Sequence, residues 1–595
     1  MWAVLLGIFG VIFVLIGVFL FIYSNPLRTK WYITAFTSVG LFLAFSILGI
    51  IPVDITSRTC DINQKPGCQE SWIYVDNDVL QIMWTVIYWL SFVVMWTVIP
   101  YFMSYPFAGD FTVLERCRTA IRRNVIFYLI VGAVGVVFLA IYLIFTRDSN
   151  WYGVCIAASN AYGLLMMIFL LGNGVVDVPY KLIKRVTLTK LLKCTLLDVY
   201  HYNKKFEEAK SELLGYVSQV KAYNNRISES DPLRKYVNVL VSKVSDFLSS
   251  VEAEGDAEKK VEKMVSINEG IIDVMWRYKQ FLFLKEKSSD KAKLYNAISQ
   301  NDSKIKLYKV IYYKFIRTFF VAVFFVLSGI VGLLVLWSEF AITINYIQLL
   351  ANNNDPTKVV DVSPYAYFIE ALSTTPTLVY VSSYLPLILC VLYSFESLLT
   401  LQFISFLRIL PNRLTDPYSL LFAGAYLCRI SSPLALNTIQ LISFGTGNYQ
   451  HESVGDSCDL TAFQCVMKSM EAVPFFGTDF ISIFPSVSVI VALFSVIFIF
   501  FDPWKLYDAI ISKFTKKKTE KALPESEMIK VALEIIGEQN TEMTDEPTNI
   551  TKRAKNTKSY GKIEENVSVD GDDVDFTKLS SPSTNKTYDF SDLDN

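Results

Sequence analysis

Histidine is almost missing from this chain: its 595 residues include two, His201 and His451. Charge is scarce too, at 19% Asp, Glu, Lys and Arg, with a net of −1. Histidine is the commonest metal ligand and general base near neutral pH, so its scarcity narrows the chemistry available. No His/Cys/carboxylate cluster has metal-ligand spacing. The phosphate-binding glycine loop, G-x-S-x-G and H-E-x-x-H are all absent. Nothing here argues for an enzyme or a cofactor, and no nucleic-acid partner is expected.

What the chain has instead is apolar length. It is 52% hydrophobic with a mean hydropathy of +0.37, too apolar for a soluble protein of this size. About 20 apolar residues cross the roughly 30 Å hydrocarbon core as a helix. Such runs occur at 2–23, 31–53, 79–104, 124–146, 152–176, 315–339, 379–404, 418–442 and 480–502. The least apolar is 152–176, which holds Asn160 and Asn173. The first run lacks a basic n-region and is long for a signal peptide, so it reads as a retained span.

Orientation follows from basic residues in the loops. One side holds Arg28, Lys30, Arg116, Arg118, Arg122, Arg123, Arg408 and Arg413, together with the lysines after the fifth and last spans. The other holds only Arg58, Lys65, Arg147, Lys358 and Lys468. The N-terminus is therefore expected outside and the C-terminus in the cytosol. Cys60 and Cys68 fall in the first outer loop, and Cys458 and Cys465 in the last. Disulfides belong on the oxidising side, so two local bridges fit, with four free thiols as the alternative. The N-x-S/T sequons at Asn301, Asn549, Asn566 and Asn585 all lie on the cytosolic side, so no N-glycan is expected.

The chain divides into a five-span block (1–178), a cytosolic helical insertion (179–314), a four-span block (315–502) and a tail (503–595). In the insertion, Phe206, Ala209, Leu213, Val217, Val220, Tyr223 and Ile227 recur every three or four positions. Leu233 to Val251 and Val261 to Leu282 repeat the pattern, with breaks at Ser230-Asp231-Pro232 and Glu254-Gly255-Asp256. Such stripes need each other or a partner to be buried. The basic stretch 110–124 is expected at the cytosolic membrane surface. The tail turns acidic and polar, which predicts disorder. Within it, 528–536 is a short apolar patch able to form a helix, and Tyr560-Gly-Lys-Ile563 has the shape of a Y-x-x-Φ sorting signal.

Ionisable groups inside spans are costly and usually partnered. Arg429 lies about 11 residues, or about 16 Å, from the cytosolic end of its span. Glu396 lies about 8 residues, or about 12 Å, from the same side in the preceding antiparallel span. The expectation is a buried Glu396–Arg429 pair. It serves either as a clamp between helices or as part of a polar site lining a pathway. Pro386 and Pro433 are candidate helix breaks in these same spans, and Asn437, Asn160, Asn173 and Asp177 add polar groups nearby.

Three patches carry a resemblance: IPVDI (51–55), GNGVVDVPYKLI (172–183) and TDPYSLLFAGAYLCRISSPLALN (415–437). With the nine-span layout and the long insertion, they resemble the limb-region membrane protein family, nearest the limb-region-domain-containing protein two branch. The resemblance implies a non-catalytic multi-pass protein of the plasma or endolysosomal membrane. Its partners would be membrane receptors or trafficking proteins, met through the insertion and tail. Because one relative in that family exports a vitamin, a small-molecule transporter using Glu396 and Arg429 is the alternative. The expected fold is all-α and polytopic, with about nine transmembrane helices, a helical or coiled-coil insertion and a disordered tail.

Overall fold

The computed structural model describes residues 2–24, 29–63, 70–146, 151–254, 258–301, 305–353, 355, 358–372, 375–400, 409–411, 414–443, 461–467, 478–501 and 523–544. Their regular structure is entirely helical. Lipid offers no partner for backbone N–H and C=O groups, so a chain this apolar must satisfy them within each segment. The helices are α1 (Trp2–Tyr23), α2 (Trp31–Asn63), α3 (Asn77–Val93), α4 (Ile99–Ser104), α5 (Val113–Thr146) and α6 (Trp151–Lys184). Then come α7 (Leu188–Arg226), α8 (Arg234–Val244), α9 (Val261–Ser299), α10 (Leu307–Ile311), α11 (Arg317–Ala351) and α12 (Pro364–Leu372). The rest are α13 (Pro376–Thr400), α14 (Pro417–Ser443), α15 (Ala462–Met467), α16 (Thr478–Ile483), α17 (Val487–Phe501) and α18 (Glu525–Thr544).

Among the described residues, eight helical stretches are long and apolar enough to cross a membrane. The ninth expected span is represented by a shorter apolar helix, Phe484–Ile499. Two spans outrun their apolar cores. The second continues through Pro52 to Asn63, and the sixth runs on to Ala351. π-helical turns at Val94–Val98 and Tyr312–Ile316 join α3 to α4 and α10 to α11. Residues 113–124 are the first turns of α5 rather than a separate surface helix.

The chain forms two compact units. The first comprises residues 1–106, 120–197 and 290–527. Within it α6 packs against α11, α13, α14 and α17, and α2 packs against α1, α13 and α14. Small residues set these approaches. A Cβ on Gly40 of α2 would stand 2.9 Å from the Gly424 backbone of α14, and one on Gly174 of α6 would run into the Tyr393 carbonyl of α13. Between lipid-embedded helices there is little hydrophobic driving force, so close backbone contact and polar bonds do the joining.

The second unit comprises residues 107–119, 198–289 and 528–595. Here the stripes meet. Leu213, Val217, Val220 and Tyr223 of α7, Val237, Leu240 and Val244 of α8, and Met264, Ile271, Val274 and Met275 of α9 share one buried core. Arg234 donates to the Asn224 and Ile227 carbonyls at 3.1 and 3.0 Å, satisfying the C-terminal end of α7. Asp231 accepts from the Leu233 N–H at 3.0 Å and from Lys259 at 2.8 Å, which fixes the turn into α8. The 107–119 segment is clasped by this bundle. Asn268 donates to the Gly109 carbonyl at 2.8 Å, Lys243 donates to Asn268 at 3.0 Å, and Phe111 packs on Tyr236 with centroids 4.7 Å apart. The 528–536 patch is helical within α18, with Ala532 and Ile536 buried.

Candidate functional site

Arg429 answers to aromatic rings. Its guanidinium lies 4.4 Å from the centroid of Trp96 and 5.1 Å from that of Tyr162. The Tyr162 and Tyr426 hydroxyls stand 3.3 Å apart, Phe422 stacks on Tyr426 at 4.0 Å, and Tyr88 is within electrostatic reach of the arginine. A guanidinium over ring faces gains cation–π attraction, which strengthens when water is excluded. The box draws on three places: the π turn after α3, α6 and α14. That turn leaves the Trp96 carbonyl to accept from the Tyr128 hydroxyl. One turn beyond Arg429, Pro433 denies its carbonyl a helical donor. The proline ring sits where a Cβ on Gly163 would be 2.9 Å away, so α6 can come this close only with glycine there.

Glu396 is elsewhere. It accepts from Lys181 at 2.8 Å, and Lys181 also pairs with Asp177 at 2.9 Å. The three-membered cluster is half exposed: the Lys181 and Glu396 side chains are 32% and 45% accessible. The expected Glu396–Arg429 pair is therefore corrected by helix register. Ser397 lies beside Gly174 of α6, whereas Arg429 lies beside Gly163. Those positions are eleven residues apart along one helix, about 16 Å, beyond what the two side chains bridge. Counting depth from each span's end in the sequence misjudged where the helices align. Pro386 is buried within α13, and α13 and α14 run on through Pro386 and Pro433, so neither expected break ends its helix. Asn173 donates to Ser397 at 3.0 Å and accepts from Ser495 at 3.1 Å, tying α6 to α13 and α17.

A further polar contact lies deeper. Glu339 of α11 and Asn437 of α14 are 0% and 1% exposed, and the Asn437 Nδ2 donates to the Glu339 Oε1 at 2.6 Å. The apolar run at 315–339 placed Glu339 at a span's edge. In the structure α11 goes on to turn Phe340, Ile347 and Leu350 outward, so the carboxyl lies within the apolar belt. The signal available in the sequence was the Ser338-Glu339 polar step in an otherwise apolar stretch.

The three sequence patches that carried the resemblance are joints. Asp54 of IPVDI is 1% exposed and accepts from the Trp84 indole at 2.9 Å and from the Ala462 and Phe463 N–H groups at 3.0 and 2.8 Å. It thereby holds the start of α15 against α2 and α3, with Trp84 edge-on to Phe463 at 4.8 Å. Asp416 accepts from the Ser419 N–H at 2.9 Å and caps α14, with Pro417 opening the helix. Cys60 and Cys465 are each disulfide-bonded. Cys68, Cys458, Tyr560, Ile563 and the Asn160 side chain lie outside the described residues. Among the described residues no three His, Cys, Asp or Glu gather as a metal site.

A family model described as LMBR1-like membrane protein matches residues 1–500. The chain belongs to that family. Among relatives of this LMBR1-like chain, LMBR1 domain-containing protein 2 homolog A of Dictyostelium discoideum is 24% identical, over 79% of this chain and 70% of that protein. Homolog B of the same organism is also 24% identical, over 74% of this chain and 60% of that protein. The human protein named G-protein coupled receptor-associated protein LMBRD2 is 22% identical, over 77% of this chain and 73% of its own length. No solved structure matches the chain.

Proposed function

We propose that this LMBR1-like protein is a non-catalytic membrane scaffold that associates with membrane receptors and influences their signalling or trafficking. The observation that carries the reading is its kinship with proteins named as G-protein coupled receptor-associated. The geometry supports it from another side. Asp54, Asn173 and Arg429 are each engaged by neighbouring helices, as expected of joints rather than of reacting groups. The insertion and the tail are the surfaces on which receptor or trafficking partners act, the Tyr560–Ile563 stretch serving as the sorting signal. The protein sits in the plasma or endolysosomal membrane, N-terminus outside and C-terminus in the cytosol. The transporter alternative has less support, because Glu396 and Arg429 belong to separate clusters.

The test is co-expression of the full chain with a G-protein-coupled receptor in cells that lack their own family member. Co-isolation from membranes and agonist-driven receptor internalisation are both read. The scaffold reading expects co-isolation, and a change in internalisation that truncation after Thr544 or Tyr560→Ala diminishes. No co-isolation and no change across a panel of receptors would sink it.

A further inference from the structure

Four polar atoms meet where α11 touches α14, and two of them have nothing to bond. The Asn437 Nδ2 donates to the Glu339 Oε1 at 2.6 Å, while the Glu339 Oε2 and the Asn437 Oδ1 are buried without a hydrogen-bond partner. Of the helices packed on α11, α12 presents Tyr365 and α13 presents Cys390 within electrostatic reach of the carboxyl. Among the described residues none of them brings a cation to it. A carboxylate buried in an apolar interior with one amide bond and no counter-charge is very costly. Two buried acceptor oxygens without a donor add the cost of their own missing hydrogen bonds.

A carboxylic acid and a primary amide have a mutual arrangement that leaves neither group short. The amide N–H donates to one carboxyl oxygen, and the acid O–H donates to the amide oxygen, closing an eight-membered ring. The bonded pair seen here is one half of that ring, and the two unpartnered oxygens are the atoms the other half needs. One proton satisfies both. A hard cation would ask for about six oxygens, which this contact does not offer.

The geometry points to an intramembrane proton-binding site: Glu339 holds a proton on Oε2 and donates it to the Asn437 Oδ1, so that a single proton closes the joint between α11 and α14. Turning the Asn437 amide over changes which carboxyl oxygen carries the proton, not the need for one. Losing the proton leaves a charge and two unpartnered acceptors between the helices. The joint then opens or the carboxylate draws in water. This gives the membrane block a proton-sensitive contact independent of Arg429 and of the exposed Glu396 cluster.

The test uses the full chain in lipid nanodiscs and infrared spectroscopy at neutral pH, with wild-type protein carrying 13C-labelled glutamate. The expected result is a neutral-carboxyl carbonyl band that shifts on labelling and on deuteration and is lost in Glu339→Gln. That variant keeps the wild-type melting temperature, because its amide N–H replaces the acid O–H. It also stays flat as pH is raised, where the wild type declines. Asn437→Leu moves the band to the frequency of an acid with no acceptor. Absence of a glutamate carboxyl band in the labelled wild type overturns the proposal, whatever the variants do. So does a band that survives Glu339→Gln or ignores Asn437→Leu.

Discussion

In the insertion, Leu213, Val220, Leu240 and Ile271 are buried against one another and charged residues such as Glu207, Glu208 and Lys210 face out. Between α6 and α13 the joint is made by Gly174 against a carbonyl and by Asn173 bonding to Ser397. The two regions solve opposite problems. In water, apolar stripes drive association and polar groups confer solubility. In lipid, apolar faces gain little by leaving a solvent equally apolar, so steric fit and polar bonds decide which helices meet. Leu333, Phe319 and Phe324 accordingly face outward on α11, whereas Glu339 and Asn345 are buried on the same helix.

This contrast can be broken most severely at Gly174. Gly174→Leu, which forces a side chain into the Tyr393 carbonyl, is expected to cost about 3 kcal/mol or more. Fluorescence-detected size exclusion in detergent should show little monodisperse protein, and a wild-type profile would refute the small-residue account. Next in size is Leu240→Ala in the insertion, expected to cost about 3 kcal/mol through the cavity it leaves. Proteolysis within 198–289 under native conditions reports it, with the membrane helices left resistant. If the whole chain loses resistance together, the two units are not separately stabilised.

A third change tests the aromatic box. Arg429→Gln is expected to cost about 2 kcal/mol as the cation–π contacts are lost. Glu396→Gln, in a half-exposed cluster, is expected to cost about 0.5 kcal/mol. Because their sites are far apart, the two effects should add, and the charge swap Glu396→Arg/Arg429→Glu should rescue nothing. Rescue in a melting assay would restore the direct pair.

The smallest effect concerns pH. The Lys259 ammonium and the Leu233 N–H hold the Asp231 carboxyl below the usual Asp value. Its contribution is therefore present above about pH 3.9, the unfolded value, and is lost as pH falls through the lower folded one. Asp231→Asn should flatten only the acid end of the insertion's stability profile. An equal loss at neutral pH would mean the residue acts through the turn rather than through its charge.

Much of this architecture is legible residue by residue. The stripe from Phe206 to Ile227 is buried as its spacing predicts, since one helical face repeats every three to four positions whatever surrounds it. The apolar runs mark the crossing helices for the same local reason. Arg429 was visible as an anomaly, but its neighbours were not: Trp96 and Tyr162 come from helices hundreds of residues away in the chain. Glu339 was hidden because an apolar run says where lipid begins and not where a helix stops being buried.

The sequence by itself determined which segments are helical, which enter lipid and which face of the insertion is apolar, because each depends on composition and period along a single segment. Only the tertiary structure decided which charge meets which partner. That choice depends on the register between helices, and a slide of a few residues moves a side chain from a carboxylate to an aromatic ring. Register here is set by contacts such as Pro433 on Gly163 and Gly40 on Gly424, which no single segment contains.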